Sequence, residues 1–316
     1  MIESRTSLNR RRLLQRVAAG ATLLSASTLP WSVRAVESST SVTPLKGGLF
    51  LLSGAGGNIV VFDNGSELLL VDSGSPAAQN PLQRTLQEAF GGRRVTTLFN
   101  THWHQDQTGG NAAFGGAGAN IIAHERTRLR LATEIYWPFE SRYQKPLPTA
   151  GLPTRTVLTA DTLHAGDESI DFGYLVEAHT DGDIFVHFKS TNVIVVGDAV
   201  ASPAADPVFD WYGGGWLGGR LDSQATLLEM ADDDTLFVPA YGAAITRAEV
   251  QKEFDVLSEL FERMIELIRK GYGAELMRDA GILDGLDRTF HDPDKLLYDA
   301  HKGLWAHHNK LRPDIV

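Results

Sequence analysis

Short apolar runs recur along the chain from residue 48 onward, and their lengths are those of β-strands rather than helices. Several runs are apolar throughout, which is typical of strands that are buried on both faces. The pattern predicts strands at residues 48–52, 58–63, 67–72, 95–99, 120–123, 174–178, 184–188, 193–196 and 236–238.

Helical spacing of apolar residues interrupts the strands and predicts helices at 81–90, 125–134 and 223–231. Two groups of strands, each followed by helices, indicate a layered α+β fold, and neither a strict βαβ alternation nor a repeat of fixed period is present. Glycine-rich runs at 109–118 and 213–219 lack the patterns that cradle phosphates and are predicted to be loops.

The hydrophobic period becomes helical again after Tyr241. Thr246 and Glu249 form a capping-box pattern, and apolar residues then recur at helical spacing up to Gly271. These residues are Val250, Phe254, Leu257, Phe261, Met264, Ile265 and Ile268. We therefore predict that 246–316 is a helical C-terminal extension, which either covers the core or forms an oligomer contact.

Composition limits the chemistry that the chain can perform. Of its 316 residues, 43% are hydrophobic, which is enough for one large domain or two small ones. There is no cysteine, so disulfides, thiolate ligands and a cysteine nucleophile are excluded, and any metal must be held by histidine, carboxylate or weaker oxygen ligands. The net charge of −10 makes nucleic acid an unexpected partner, and a small-molecule substrate is favoured.

The N-terminus has the pattern of an export signal. An arginine cluster at 9–15 precedes a moderately apolar run at 17–31 and small residues ending at Ala35. This resembles a twin-arginine signal peptide over 1–35 and predicts a periplasmic or otherwise exported protein, followed by a linker at 36–46. The apolar run is too short and polar for a stable membrane anchor. The alternative is a disordered basic tail.

A compact group of metal-ligand residues follows the predicted strand at 95–99. His102, His104 and Asp106 are spaced two residues apart, and the glycines at 109–110 permit a tight turn after them. Functional residues collect where chain leaves a buried strand, and imidazole and carboxylate groups suit zinc or iron. The segment therefore predicts a metal site.

This segment resembles the His-x-His-x-Asp-His signature of the metallo-β-lactamase superfamily. Three further elements resemble that family in order and context: Leu68-Leu-Leu-Val-Asp-Ser-Gly74, Ala178-His-Thr-Asp-Gly-Asp183 and Ile194-Val-Val-Gly-Asp198. The resemblance covers residues 47–245. It implies a four-layer αββα sandwich with its metal site at one edge of the two sheets.

The resemblance also implies roles for individual residues. His179 becomes the third imidazole beside His102 and His104, Asp72 supports the ligands, and Asp198 is the residue that bridges two metals in family hydrolases. The chain departs from the family at two positions that belong to the second metal.

The departures are Gln107, which stands where the family has histidine after the motif aspartate, and Tyr241, which stands in place of the histidine of a final Gly-His-Gly element. The candidate ligands that remain for a second metal are Asp106, Asp198, the Gln107 carbonyl and the Tyr241 phenol, which is a reluctant ligand because its pKa lies near 10. One complete metal site is predicted, and the second lacks both imidazoles.

The function implied is a zinc-dependent hydrolase that attacks an ester, thioester or lactam bond with metal-bound hydroxide. Asp106 and Asp198 would orient the nucleophile, accept its proton or hold a weak second metal. Tyr241 would donate a hydrogen bond to a developing oxyanion, and the alternative is an ordinary half-buried core tyrosine.

Two aromatic segments are candidate walls of the site, at 134–140 and 206–220. Trp211, Tyr212 and Trp216 are predicted to line a pocket, the alternative being a loop pinned to the core by its own aromatic residues. Arg220 would meet a substrate carboxylate or form a surface ion pair.

The remaining histidines are predicted to have no role at the metal. His124, His164 and His187 are interpreted as structural or surface residues, and the others lie in the helical extension, at His291, His301, His307 and His308.

Two other classes of function compete with the hydrolase. Sulfur dioxygenases that resemble this superfamily hold one iron with two histidines and one aspartate, a set matched by His102, His179 and Asp198. The other class is a non-catalytic metal-binding module. The identity of the bound metal would separate the three hypotheses.

Overall fold

The computed structural model describes residues 40–137 and 141–308. The predicted signal peptide at 1–35 lies outside the described residues. Fifteen strands lie in the described part of the chain: β1 (Ser41–Pro44), β2 (Leu49–Ser53), β3 (Ile59–Asp63), β4 (Leu68–Val71), β5 (Val95–Phe99), β6 (Asn120–His124), β7 (Ile135–Trp137), β8 (Arg142–Gln144), β9 (Arg155–Val157), β10 (Ala160–Ala165), β11 (Glu168–Leu175), β12 (Asp183–Phe188), β13 (Val193–Gly197), β14 (Leu236–Pro239) and β15 (Ile245–Thr246).

Eight α-helices occur within the same two ranges: α1 (Gln79–Phe90), α2 (Gln105–Thr108), α3 (Asn111–Gly116), α4 (Glu125–Leu131), α5 (Leu217–Met230), α6 (Arg247–Arg269), α7 (Ala274–Asp279) and α8 (Pro293–Ala306). Short 3-10 turns occupy Pro76–Ala78 and Thr149–Gly151. In the described part of the chain, no helix combines the length and apolar character that a membrane crossing requires.

The strands form two large sheets and a hairpin. The first sheet has the order β1-β2-β3-β4-β5-β6-β9, with antiparallel pairing up to β4 and parallel pairing from β4 to β9. The second sheet has the order β10-β11-β12-β13-β14-β15 and is antiparallel except between β13 and β14. The hairpin consists of β7 and β8.

The two faces of each apolar strand explain why the sheets stack as layers. Along β13, Val193 and Val195 belong to the core between the sheets, whereas Ile194 and Val196 belong to the core beneath α5 and α6. Side chains alternate between the two faces of a strand, so a continuously apolar strand serves two cores at once. The first sheet shares its outer core with α1 and α3 in the same way. The fold is thus the expected αββα sandwich.

The C-terminal extension is helical, as predicted, and it covers the sandwich. Thr246 caps α6, and its hydroxyl accepts from the Glu249 amide while the Glu249 carboxylate accepts from the Thr246 amide. α6 packs against α5, and α7 and α8 complete a separate apolar cluster with these helices. Phe209 and Trp216, which precede α5, are buried in that cluster.

Several predicted boundaries differ from the structure. The predicted linker at 36–46 includes β1, which pairs with β2. The glycine-rich run at 109–118 is not a loop throughout, because it contains α3. The run at 213–219 enters α5, where a Cβ on Gly219 would lie 2.3 Å from the Glu177 carbonyl oxygen. Glycine here permits close packing of a helix against a turn, which has no signature in local sequence.

Candidate metal centre

Three histidines from separate turns come together where the two sheets meet. His102 follows β5, His104 precedes α2, and His179 lies in the turn between β11 and β12. One ring nitrogen from each lies within 4.8 Å of the others. The turns are held together because the amide of Ile184, on β12, donates to the Thr101 carbonyl oxygen at 2.8 Å. The predicted three-imidazole cluster is therefore present.

The clustered nitrogens are His102 Nε2, His104 Nδ1 and His179 Nε2. His104 Nδ1 lies 3.2 Å from His179 Nε2. Asp198, at the end of β13, brings its Oδ2 to 3.5 Å from His102 Nε2 and 4.0 Å from His179 Nε2. One carboxylate thus borders the cluster as the sequence predicted.

The other nitrogen of His102 is fixed by its neighbour. Thr101 donates its hydroxyl proton to Asp72 at 2.7 Å, and Asp72 also accepts from the Thr101 amide at 2.8 Å. The Thr101 hydroxyl has then given away its only proton and must accept from His102 Nδ1, 3.1 Å away. This contact places the hydrogen of His102 on Nδ1 and agrees with the supporting role expected of Asp72.

The outer nitrogens of the other two histidines also face acceptors. His104 Nε2 donates to Asp210 at 3.0 Å, and His179 Nδ1 donates to the Val208 carbonyl oxygen at 3.0 Å. An acceptor on one ring nitrogen fixes the hydrogen there and leaves a lone pair on the other nitrogen. In their neutral forms, all three rings therefore carry lone pairs on their inner nitrogens.

These lone pairs suit a metal ion. His104 Nδ1 and His179 Nε2 cannot hydrogen-bond to each other when neither carries a hydrogen, and His102 Nε2 is buried without a hydrogen-bond partner among the described residues. Burial and the neighbouring imidazoles lower the pKa of His102 well below its usual range and that of His179 to about 3. Neutral imidazoles converging on one point are the ligand set of a zinc site.

His104 differs from the other two imidazoles because the acceptor on its outer nitrogen is a carboxylate, that of Asp210. Burial acts to lower the pKa of His104, but the hydrogen bond and charge of Asp210 outweigh it and raise the pKa. Burial likewise acts to raise the pKa of Asp210, yet the contact with His104 holds it below the usual range. A carboxylate behind a histidine ligand orients the ring and raises its basicity.

Asp106 and Tyr241 form a pair beside the cluster. The Tyr241 hydroxyl donates to Asp106 Oδ2. Burial raises the pKa of Asp106, although His104 opposes that effect when it is protonated, and burial raises the pKa of Asp198 to about 6. The structure thus gives Tyr241 a definite contact with Asp106, which the sequence alone did not predict.

Gln107 offers only its side chain to a metal. Its main-chain carbonyl oxygen already accepts from the Ser73 amide at 2.7 Å and the Ser73 hydroxyl at 3.0 Å. Its side-chain amide is buried against Gly57 and has no hydrogen-bond partner among the described residues. A ligand role for Gln107 stays a prediction that rests on this amide.

The turn that carries His179 is held by Asp183. Its carboxylate accepts from the amides of His179 and Thr180 at 2.7 and 2.6 Å, and from the Thr180 hydroxyl at 2.9 Å. Burial raises the pKa of Asp183 to about 7 against the lowering effect of these hydrogen bonds. The aspartate at the end of the predicted Ala178–Asp183 element therefore shapes the turn.

The glycine-rich segment 206–216 is tied to this turn by main-chain contacts. The Asp210 amide donates to the His179 carbonyl oxygen at 3.0 Å, and the Asp181 amide donates to the Gly213 carbonyl oxygen at 2.9 Å. A Cβ on Gly215 would lie 1.9 Å from the His179 carbonyl oxygen. This close approach requires glycine, and main-chain hydrogen bonds hold the segment against the His179 turn.

Two predicted substrate contacts are wrong. Trp216 is buried, stacks on His307 at 5.0 Å between ring centroids, and belongs to the C-terminal apolar cluster. Arg220 is fully buried and pairs with Glu253 at 2.7 Å, so it meets neither substrate nor solvent. Its guanidinium also donates to the carbonyl oxygens of Asp198 and Val208 at 2.6 and 3.3 Å. A buried arginine was not anticipated because this side chain is rarely removed from water.

Trp211 and Tyr212 have different surroundings. Trp211 hydrogen-bonds to Asp299 on α8 and meets Tyr212 edge-on at 6.1 Å. Tyr212 is 40% exposed and lies 6.3 Å from Trp137 on β7, in the other predicted wall. Of the three predicted pocket residues, Tyr212 is the exposed one.

The other histidines of the described residues serve elsewhere. His124 caps α4 and stacks on Tyr174, His187 is buried on β12, and His164 is exposed. In the extension, His307 Nε2 lies 3.3 Å from Glu177, and His291 contacts Asp206. The three-histidine cluster contains none of them.

Asp210 is the functional residue that sequence reasoning missed. It lies 106 positions from His104, in a segment whose aromatic and glycine residues indicated only a pocket wall. No local pattern links the two positions. The sequence gives one indication of its role: Asp210 stands between Phe209 and Trp211, and an aspartate that is buried with apolar neighbours requires a polar partner.

Replacing Asp210 with asparagine is expected to weaken metal binding by about 10- to 100-fold, because the carboxylate no longer orients His104 or raises its basicity. The dissociation constant would be measured by competition with a chromophoric chelator. Asp206→Asn is the matched control, since Asp206 lies on the same segment and contacts His291 rather than His104. Equal affinities for both variants and the unchanged protein would contradict this role.

Comparisons with known proteins agree with the geometry. The sequence profile of the family described as the Metallo-beta-lactamase superfamily matches residues 52–241. Among solved structures, a metallo-beta-lactamase from Pontibacter korlensis superposes with a TM-score of 0.57 at 17% identity, over 69% of this chain and 99% of the other. The DIM-1 metallo-beta-lactamase superposes with a TM-score of 0.55, also at 17% identity, over 70% and 97%. At this identity the superpositions support the fold alone.

Two characterised relatives are similar in sequence. The alpha subunit of 2,4-dinitroanisole O-demethylase from Nocardioides sp. (strain JS1661) is 23% identical over 247 residues, which cover 77% of this chain and 70% of the relative. Hydroxyacylglutathione hydrolase from Erythrobacter litoralis (strain HTCC2594) is 29% identical over 120 residues, which cover 38% of this chain and 39% of the relative.

Proposed function

Because the chain belongs to the metallo-beta-lactamase superfamily, we propose that it is a metal-dependent hydrolase whose ion is held by His102, His104 and His179. The observation that carries this proposal is the convergence of three imidazole lone pairs, each fixed by an acceptor on the opposite nitrogen. Zinc is the metal that this ligand set favours. When bound, zinc supplies Lewis acidity that lowers the pKa of water to about 7.

The chain's own carboxylates would orient the attacking water. Asp198 Oδ2 is 3.5–4.0 Å from two of the inner nitrogens and can accept a hydrogen bond from a water at the edge of the ion site. Asp106 is held in one orientation by the Tyr241 hydroxyl. We therefore assign Tyr241 to positioning Asp106 rather than to stabilising an oxyanion, because its single proton is already donated.

The bond that is cleaved is proposed from chemistry and from relatives. Esters, thioesters and lactams are the carbonyl substrates that a single metal and a carboxylate can hydrolyse. One relative is named as a hydrolase of hydroxyacylglutathione, and another is named for the O-demethylation of 2,4-dinitroanisole, an aryl ether. Aryl ethers therefore belong in the substrate panel beside the three carbonyl classes.

A mononuclear iron oxidoreductase is the second candidate, because Asp198 lies close enough to His102 and His179 to complete a two-histidine, one-carboxylate set. The contact between Asp210 and His104 favours the three-histidine site instead, because a carboxylate on the outer nitrogen directs the lone pair of the neutral ring toward the cluster. His104→Ala separates the two sets: it removes metal from the first and spares the second.

The test is element analysis of the protein purified from its native host, combined with assays of hydrolysis and oxygen uptake. We expect one zinc per chain, or more, together with cleavage of a substrate from the panel. Iron with oxygen uptake would instead establish the oxidoreductase. Protein without stoichiometric metal would indicate a binding module and overturn the proposal.

We also propose export through residues 1–35, with a small molecule as substrate, no nucleic-acid partner and no stable membrane anchor. The proposal rests on the arginine cluster and the apolar run of the N-terminus. Cell fractionation tests it: replacing Arg11 and Arg12 with lysine is expected to retain the protein in the cytoplasm. Equal distribution of the two forms would contradict export by this route.

A further inference from the structure

The metal centre reaches solvent beside His104 and Asp198. The side chains of His102 and His179 are 0% and 1% exposed, whereas that of His104 is 21% exposed and that of Asp198 is 16% exposed. His104 is the most exposed of these four side chains. A substrate bound at the centre can therefore extend past His104 toward solvent and contact the surface beside it.

That surface is aromatic. The ring centroid of Trp137 lies 6.1 Å from that of His104, and the ring centroid of Tyr212 lies 6.3 Å from that of Trp137. The two rings are tilted by 38° relative to each other, so they form an open angle rather than a closed stack. We call Trp137 and Tyr212 the aromatic pair.

Both members of the aromatic pair are held in place. Trp137 stacks on the buried Trp103 at 5.4 Å and 23°, and its indole donates to the Gln144 side chain at 3.3 Å. Arg142 lies over the Trp137 ring at 5.5 Å. Tyr212 belongs to the segment 206–216 that hydrogen bonds tie to the His179 turn. A rigid, partly exposed aromatic surface binds a ligand without a large loss of side-chain entropy.

Tyr212 is the most exposed aromatic residue of its segment. Trp211 contacts Asp299 on α8, and Phe209 and Trp216 are buried. Tyr212, by contrast, is 40% exposed. An exposed aromatic ring beside a polar centre is the composition of a ligand pocket, in which apolar walls surround a few polar groups.

From this arrangement we infer that the substrate carries an aromatic ring, which packs against the aromatic pair while its reactive bond lies at the metal centre. The inference rests on the proposed function and names its substrate class. Offset and edge-to-face ring contacts add binding energy beyond the area that they bury, and an aliphatic ring of the same size does not gain this term.

The test compares two ligands of equal charge and similar size, benzoate and cyclohexanecarboxylate. Their carboxylates present the same group to the metal centre, and they differ in the ring. Isothermal titration calorimetry of the metal-loaded protein is expected to show benzoate binding about fivefold more tightly, from the extra energy of ring contacts.

Variants locate the preference within the chain. Tyr212→Leu and Trp137→Leu are each expected to reduce the benzoate preference to less than about twofold. Tyr143→Leu is the matched control, because Tyr143 lies on the same hairpin, is exposed and contacts Tyr136 instead of the metal centre. Tyr212→Leu keeps the test valid if Trp137→Leu disturbs the hairpin, since Tyr212 is a surface residue.

The inference is overturned if neither ligand binds, if both bind equally, or if the benzoate preference survives both variants. Its fate is separate from that of the hydrolase proposal. If the protein hydrolyses panel substrates but shows no preference for benzoate, the aromatic-substrate inference is refuted and the hydrolase proposal stands. If it prefers benzoate through the aromatic pair but hydrolyses no substrate, the hydrolase proposal is refuted and the aromatic pair remains a binding surface.

Discussion

Replacing Glu253 with glutamine is expected to lower the free energy of unfolding by about 3–5 kcal/mol, since it leaves a buried charge without its counter-ion. Glu253 accepts from Arg220 Nε and Nη2 at 3.2 and 2.7 Å and from the Ala201 amide at 2.8 Å. The side chains of both charged partners are no more than 1% exposed. Arg288 lies 4.0 Å from the other carboxylate oxygen, so a second cation also loses its partner.

Chemical denaturation of the purified protein measures this effect. Glu266→Gln is the matched control, because Glu266 lies on the same helix and pairs with Lys270 in an exposed contact, which contributes little to stability. The unfolding midpoint should fall for Glu253→Gln and stay unchanged for Glu266→Gln. Similar midpoints for the two variants would show that the buried pair does not stabilise the fold.

The same ion pair links the C-terminal helices to the metal centre. Arg220 stands on α5, Glu253 on α6, and the arginine reaches the carbonyl oxygens of Asp198 and Val208. The Val208 carbonyl oxygen in turn accepts from His179. The buried Arg220 side chain thus connects the C-terminal helices to the main chain at Asp198 and to the Val208 carbonyl oxygen that contacts His179.

The layers of the fold could be predicted because buried strands and helices show characteristic patterns of hydrophobic residues in the sequence. Val193–Val196 is apolar at every position because both of its faces are buried, and α6 shows its capping box and apolar stripe directly. Short strands show a weaker hydrophobic pattern. β7, β8 and β9 have three residues each, too few for any period to be recognised.

The three histidines of the cluster could be predicted, but most of their supporting contacts could not. His102 and His104 are close in sequence and follow a strand, so the local pattern indicates them, whereas His179 was indicated by the family resemblance. Asp210 and Arg220 meet their partners only after the chain has folded, at separations of 106 and 33 residues. Such pairs are determined by packing, and a single sequence carries no local trace of them.

Replacing His102 with alanine is expected to weaken metal binding more than about 100-fold, beyond the range expected when a supporting contact is lost. His102 Nε2 is buried, lies 3.5 Å from Asp198 and has no hydrogen-bond partner among the described residues. Its removal takes away one of three convergent lone pairs and leaves two ligand nitrogens beside a carboxylate. Element analysis after dialysis is the measurement, and hydrolysis should fall to the background of metal-free protein.

His164→Ala is the matched control, because His164 is exposed on β10 and lies outside the ligand cluster. The control should retain its metal and its activity. If the cavity left by alanine disturbs folding, His102→Gln preserves more of the volume while still removing the imidazole ligand, and circular dichroism verifies that the variant is folded. Because the supports of His104 and His179 are untouched, a folded variant that retains all of its metal would show that His102 is not a ligand.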